Sequence, residues 1–264
     1  MHIRLDGKTA LVTASTGGIG LAIAKGLVST GAQVVINGRS EASVAKAKAE
    51  LLAVAPSASI VTMVADLGTA DGVEQLIDAL PHIDILVNNA GIYGVRDFFE
   101  TDDACWDEYW QTNVMSGVRL SRALVPAMQA RGWGRVVFIA SESARNIPAD
   151  MVHYGVSKTA QLALSRGLAK RLAGSGITVN SVLPGPTLSD GLAQMLEEER
   201  ARTGKTVEAL AAEFVMAHRP TSLIQRAATV DEVANMVVYV CSTLASATSG
   251  AALRVDGGVV DDIV

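Results

Sequence analysis

The sequence predicts a doubly wound α/β protein, a parallel sheet with helices on both faces, and three observations carry that prediction. Short, nearly continuous Val/Ile/Leu runs alternate with longer helical patterns along all 264 residues, as strands buried on both faces of a parallel sheet require. A glycine-rich turn, TASTGGIG, follows the first apolar run and precedes the first helical pattern. No internal repeat, low-complexity tract or linker divides the chain, so residues 1–264 are expected to form one domain.

The strand candidates are 9–13, 33–37, 60–64, 85–88, 135–140, 178–183 and 251–255. Helical patterns fill the gaps at 20–29, 41–53, 72–79, 108–130, 154–173 and 230–242, the first with Ile19, Ile23 and Leu27 on one face. Alternation of this kind predicts βαβ units wound in both directions from a central strand. Residues 189–221 depart from it. They mix charge with short apolar stripes, Leu192, Met195 and Leu196, then Leu210, Phe214 and Val215, and predict two short helices. The excursion follows a strand ending in LPGPT. In such sheets ligands bind outside the carboxyl ends of the strands, so 189–221 is expected to be a substrate lid. The competing reading is a helical hairpin packed on the body with no substrate role.

Gly17, Gly18 and Gly20 let the chain turn sharply and let a pyrophosphate approach the helix N-terminus, where unpaired N–H groups and the helix dipole favour an anion. The candidate contacts here are Thr13, Ser15, Thr16, Gly18, Ile19 and Gly20. Sheets that bind NAD carry an acid about twenty residues further on to hold the ribose hydroxyls. This chain has Asn37, Gly38, Arg39 and Ser40 there, and Arg39 is suited to charge-assisted bonds with a 2'-phosphate. NADP is therefore expected, with NAD as the alternative. Asp66 and Leu67 end the third strand; Asp66 is read either as an adenine contact or as a cap for the next helix.

Tyr154 and Lys158 stand at i, i+4 in HYGVSK and share a helical face. A free phenol titrates near 10, and an adjacent ammonium favours its phenolate, bringing it into range for proton transfer. Ser141 ends the strand RVVFIA thirteen residues earlier, with Ser143 as a second hydroxyl. Asn113 is a polar residue within an amphipathic helix, an unfavourable place unless something uses its amide. Each also has a bland reading: packing for Tyr154, a solvated cation for Lys158, a cap for Ser141 and a backbone ligand for Asn113. His153 is expected to turn away from Tyr154, toward a pocket or an interface. The four histidines form no metal-ligand pattern.

With these residues in view, the chain resembles the short-chain dehydrogenase/reductase family over essentially its whole length. TASTGGIG is similar to that family's TGxxxGxG turn, with Ala14 in place of the first glycine. Asn88, Asn89, Ala90 and Gly91 match its NNAG segment, and VDGG at 255–258 also matches. The resemblance implies a Rossmann-type sheet and a catalytic set of Asn113, Ser141, Tyr154 and Lys158. It also implies that Pro184 and Gly185 embrace the nicotinamide, with Thr187 and Ser189 near its carboxamide, and that Asn89, Ala90, Gly91, Tyr154 and Lys158 line the cofactor. Hydride would pass between nicotinamide and a carbonyl carbon, Tyr154 would exchange the proton, and Ser141 would hold the substrate oxygen. Lys158 would hold the ribose and support Tyr154, and Asn113 would position a relay water.

The remaining expectations come from composition and helix faces. The net charge of -5 is spread without runs, which excludes the electrostatic footprint of a nucleic-acid or anionic-membrane binder. No apolar stretch reaches a membrane-spanning length. Cys105 and Cys241 make no disulfide framework and read as buried thiols, which with the absence of a leader-like segment implies a cytoplasmic protein. Apolar positions spread around 154–173 predict a homo-oligomer, a tetramer or else a dimer. The leading functional reading is an NADP-dependent reductase of a small-molecule carbonyl, or dehydrogenase of the corresponding secondary alcohol. A 3-oxoacyl-thioester reductase, an NAD-linked dehydrogenase of a sugar or cyclic alcohol, and a non-enzymatic nucleotide sensor or scaffold compete with it.

Overall fold

A computed structural model describes residues 2–263. Its strands are β1 (Thr9–Val12), β2 (Gln33–Gly38), β3 (Ile60–Val64), β4 (Ile85–Asn88), β5 (Gly134–Ile139), β6 (Ile177–Pro184), β7 (Thr187–Leu188), β8 (Ala228–Thr229) and β9 (Ala252–Val255). Seven of them form one parallel sheet in the order β3-β2-β1-β4-β5-β6-β9, while β7 and β8 pair separately. All seven sheet strands stand within a residue or two of the apolar runs that predict them.

Consecutive strand residues face opposite sides of a sheet, and here both sides are apolar. Ala10, Val12, Val34, Ile36, Ile85 and Val87 pack beneath α1 (Gly18–Ser29), α2 (Glu41–Val54) and α10 (Val230–Cys241). Leu11, Val35, Leu86, Val136 and Phe138 face the other way, toward the helices that follow β3, β4 and β5. The chain runs outward from β1 through β2 to β3, then returns to place β4 on the other flank of β1. The βα loops of β1 and β4 therefore part at their carboxyl ends, opening the crevice where doubly wound sheets bind ligands.

Three expectations need correction. The helix predicted at 108–130 is three segments: α4 (Asp103–Tyr109), a π-helical turn (Trp110–Met115) and α5 (Ser116–Ala130). It starts earlier because Asp102 caps it, accepting from the Cys105 amide at 2.9 Å. The helix after β3, α3 (Ala70–Ala79), is capped by Thr69, which accepts from the Gly72 amide at 3.0 Å, so Asp66 is not its cap. The excursion at 189–221 holds three helices rather than two: α7 (Asp190–Met195), α8 (Glu197–Thr203) and α9 (Val207–His218). They close on their own small core of Leu192, Leu196, Leu210, Ala211 and Val215. The excursion is thus a packed unit, separate from both faces of the sheet.

The long helix α6 (Val152–Arg171) buries Gly155, Ser157, Lys158, Gln161 and Ser165. Its inward face is small and polar, and Leu162, Leu164 and Leu168 are only partly covered. Among the described residues no helix is long and apolar enough to cross a membrane. The described residues hold no group of three or more His, Cys, Asp or Glu able to bind a metal ion. Cys241 is a buried free thiol as expected; Cys105, also free, is only half-buried.

Candidate active site

The turn after β1 is held from three sides. Ala14 adopts φ +48°, a left-handed conformation in which a Cβ crowds the carbonyl that follows. Its amide donates to Asn37 Oδ1 at 3.2 Å, and its carbonyl accepts from Asn89 Nδ2 at 3.1 Å. Gly20 lies so close that a Cβ there would stand 2.5 Å from both Ala14 O and Asn89 Nδ2. Two predicted contacts, Thr13 and Ser15, turn their hydroxyls inward. Thr13 Oγ1 accepts from the Asn89 and Ala90 amides at 2.8 Å each. Ser15 Oγ donates to Val12 O at 2.7 Å and accepts from the Asn37 amide at 3.0 Å. These side chains brace the crevice and do not line it. Asn37 completes the knot by donating to Ala65 O at 3.2 Å, which gives a buried amide to the strand end where NAD-binding sheets carry an acid.

The N-terminus of α1 already receives an anion. Asp190, the first residue of α7, reaches across so that Oδ2 accepts from the Gly18 amide at 3.3 Å. A Cβ on Gly17 would stand 3.2 Å from that oxygen. This internal carboxylate, which the sequence analysis missed, tests the turn: the bare amide and the glycine cradle accept a negative oxygen where a cofactor pyrophosphate would lie. Thr16 and Ile19 are half-buried beside it.

Arg39 is exposed at the carboxyl end of β2 and makes no ion pair among the described residues, so its guanidinium is available to a ligand. Asp66 is exposed and accepts from the Gly68 amide at 3.0 Å; Leu67 beside it is buried. At the far wall, Gly185 lies against the backbone of Asp256, whose carbonyl would be 2.7 Å from any Cβ. Only glycine lets these two loops meet. Thr187 donates to Gly185 O at 2.9 Å, and Ser189 caps α7, so both hydroxyls are engaged locally.

Four predicted catalytic residues gather at the carboxyl ends of β4 and β5. Asn113 sits in the π-helical turn, fully buried. Its Oδ1 accepts from the Ile92 amide at 2.8 Å, and its Nδ2 donates to Ile92 O at 3.0 Å and to Ser157 Oγ at 2.9 Å. The polar mid-helix residue thus clamps the loop after β4 to α6. A Cβ on Gly91 would lie 3.2 Å from Lys158 Nζ and 3.3 Å from Asn113 Oδ1, so this loop is in contact with both. Lys158 is buried and donates to Ile139 O at 2.9 Å.

The Tyr154 phenol stands close to the Ser141 hydroxyl. Lys158 Nζ lies 5.7 Å from the tyrosine ring centroid, and the expected lowering of the phenol by that ammonium gives way to burial. Burial pushes Tyr154 above its ordinary value, the nearby Glu142 carboxylate adds to the rise, and the Ser141 hydroxyl opposes it. Burial also brings Lys158 down to about 7. Tyr93, which the sequence did not single out, presents its ring edge to Tyr154 at 6.4 Å between centroids. Its hydroxyl would stand 2.5 Å from a Cβ on Gly191, so it ties the reactive phenol to the start of α7. His153 does turn away from Tyr154: it is buried against Tyr109, with centroids 4.4 Å apart.

Comparison with known proteins agrees with this geometry. The family model of the short chain dehydrogenases matches residues 8–200. The chain belongs to the short-chain dehydrogenase family. It is an oxidoreductase that moves a hydride between a nicotinamide cofactor and a CH–OH or C=O carbon. It is 44% identical over 263 residues to the uncharacterized oxidoreductase YvaG of Bacillus subtilis, covering 100% of each chain. It is 32% identical over 263 residues to the 3-oxoacyl-[acyl-carrier-protein] reductase of Aquifex aeolicus, covering 98% of this chain and 100% of that one. Among solved structures, L-sorbose reductase from Gluconobacter frateurii, complexed with NADPH and L-sorbose, superposes with a TM-score of 0.92 at 32% identity, covering 100% of both chains.

Proposed function

We propose that this member of the family is an NADP(H)-dependent reductase of a hydroxylated ketone, reversible as a dehydrogenase of the corresponding secondary alcohol. The observation that carries this reading is the convergence of Ser141, Tyr154 and Lys158 at the carboxyl end of β5, where Lys158 donates to Ile139 O at 2.9 Å and its Nζ lies 5.7 Å from the Tyr154 ring centroid. The exposed Arg39 supports a 2'-phosphate. The α1 N-terminus with Gly18 would hold the pyrophosphate, Asp66 and Leu67 the adenine side, and Asn89, Ala90 and Gly91 the inner ribose. Pro184, Gly185, Thr187 and Ser189 would form the nicotinamide wall.

When bound, the cofactor supplies the hydride that the carbonyl carbon accepts. Tyr154 gives its phenolic proton to the carbonyl oxygen, which Ser141 holds in place, and the reverse transfers apply to alcohol oxidation. A free phenol keeps its proton at neutral pH, so Tyr154 can act as an acid once substrate binds. Lys158 would contact the ribose, and its ammonium would favour the phenolate left behind. Asn113, by clamping Ile92 to α6, keeps these groups in register. α7 to α9 serve as the substrate lid within a single domain, since α7 touches both the nucleotide turn and Tyr93.

The similarity to the NADPH-bound L-sorbose reductase favours a polar, polyhydroxylated substrate. The acidic run EEER at 197–200 on α8 disfavours the phosphopantetheine carrier of a 3-oxoacyl reductase. The enzyme is further read as a cytoplasmic homotetramer. Val156 on α6 is exposed and Leu162 only partly covered, and Phe99 in the loop after β4 is 92% exposed, apolar surface that a symmetric partner would bury. Sedimentation measures the assembly directly. The functional test is a reductase screen over ketoses, diketones and oxoacyl thioesters with NADPH and NADH separately. Ketose or diketone reduction with NADPH is expected; faster turnover of the thioester, or of every ketone with NADH, would contradict the reading.

A further inference from the structure

Directly beside Ser141 lies a buried carboxylate for which the reaction as described has no use. Glu142 is 3% exposed. Its Oε2 accepts from Ser141 Oγ at 2.7 Å and from Ser143 Oγ, and its Oε1 accepts from Arg219 Nε at 2.7 Å. Arg219 follows α9, the last helix of the excursion, and lies beyond the 8–200 stretch matched by the family model. An unpaired carboxylate at this depth is strongly unfavourable, so three donors, one of them a guanidinium, explain how it is tolerated. They do not explain why it sits against the serine.

The hydrogen-bond economy of Ser141 gives a reason. A hydroxyl has one proton and two lone pairs. Its proton goes to Glu142 at 2.7 Å and one lone pair takes the Ser143 amide at 3.1 Å. These two bonds fix the orientation of the Ser141 hydroxyl and leave its second lone pair uncommitted. When a substrate oxygen arrives, the Ser141 proton can swing to it without stranding the carboxylate, because Ser143 and Arg219 still satisfy Glu142.

We propose that Glu142 is a positioning residue for Ser141, and that Arg219 makes this positioning conditional on the excursion being docked. The inference rests on the catalytic assignment of Ser141 above and extends it to how that hydroxyl is aimed. No covalent or redox step is added; the pair acts on geometry before hydride transfer.

The test is a double-mutant cycle in kcat with NADPH and whichever of L-sorbose and a small vicinal diketone the wild-type protein reduces faster. Glu142→Gln should lower kcat by about tenfold or more, the scale of one charged hydrogen bond. NADPH affinity and the melting temperature should stay near wild type. In the Ser141→Ala background the same change should alter kcat by less than about twofold, because a residue acting through another is non-additive with it. Arg219→Ala should reproduce the loss, Glu142→Gln/Arg219→Ala should be no slower than either alone, and Arg219→Lys should recover part of the rate. These last arms decide the matter even if Ser141→Ala is too slow to time. Wild-type kcat in Glu142→Gln, or a full additive loss in both backgrounds, would overturn the proposal. Wild-type turnover in Ser141→Ala would instead defeat the assignment of Ser141 itself.

Discussion

Replacing Ala14 by glycine should make the protein more stable, although it deletes a methyl group. Ala14 is held at φ +48° by the bonds of its amide to Asn37 and of its carbonyl to Asn89, so the chain cannot relax out of the left-handed region. An L-residue costs about 1–2 kcal/mol there, and glycine almost nothing. The methyl is exposed, so its removal forfeits little burial. Against the gain stands the greater freedom of glycine in the unfolded chain, about 0.5–1 kcal/mol. The centres of those ranges differ by about 0.75 kcal/mol in favour of glycine, which for a chain of this size raises the melting temperature by about 1.5–3 °C. Differential scanning calorimetry of both proteins without cofactor reads it directly, and NADPH affinity should be unchanged, since the turn meets ligands through its amides. A lower melting temperature in Ala14→Gly would refute the strain argument.

Other outcomes follow from the same contacts. Asp190→Asn removes the anion that competes at the α1 N-terminus and should tighten NADPH binding about two- to fivefold, from the 0.3–1 kcal/mol scale of such interactions; weaker binding in a fluorescence titration would contradict the competition. Arg39→Ala should weaken NADPH by about 1.5–3 kcal/mol and leave NADH nearly unaffected; equal losses for both cofactors would remove the 2'-phosphate contact. Burial pushes the Lys158 ammonium from its ordinary value near 10.5 down to about 7. Between those values the unfolded chain binds a proton that the folded one lacks, so stability gains a rising contribution from Lys158 as pH increases. In urea melts without cofactor, the advantage of Lys158→Met over wild type should be largest below pH 7 and shrink toward pH 9. A pH-independent difference would show that the lysine is not titrating there.

The sheet was legible because each strand is apolar on both faces and bounded by helical periodicity. Ala10, Leu11 and Val12 read as a buried run, whichever side each one faces. The first turn of a helix was less legible: α4 begins at Asp103 because a single aspartate caps it, a signal with no apolar stripe to mark it. The π-helical turn around Asn113 left no periodic signature, although the unfavourable amide hinted that something used it. In the site, local motifs announced Ser141, Tyr154 and Lys158. The contacts made by Asp190 and Arg219 span 172 and 77 residues, and no local pattern encodes them. Glu142 was visible in SESA beside Ser141, yet its meaning depends on a partner that only the folded excursion supplies. The direction in which the phenol shifts is hidden for a related reason. The i, i+4 spacing gives proximity to Lys158, while the burial that outweighs it is a property of the whole pocket.

Tyr154→Phe removes the one hydroxyl through which the proton is proposed to move. The ring otherwise keeps its packing against Tyr93. Turnover and NADPH affinity should be measured on the same preparation, with the ketone that wild type reduces fastest. Loss of nearly all turnover is expected, about a hundredfold or more from removal of a general acid, with the NADPH dissociation constant within about threefold of wild type, since the phenol is only one of many cofactor contacts. Turnover near the wild-type rate, or cofactor affinity falling in step with the rate, would contradict that role for Tyr154.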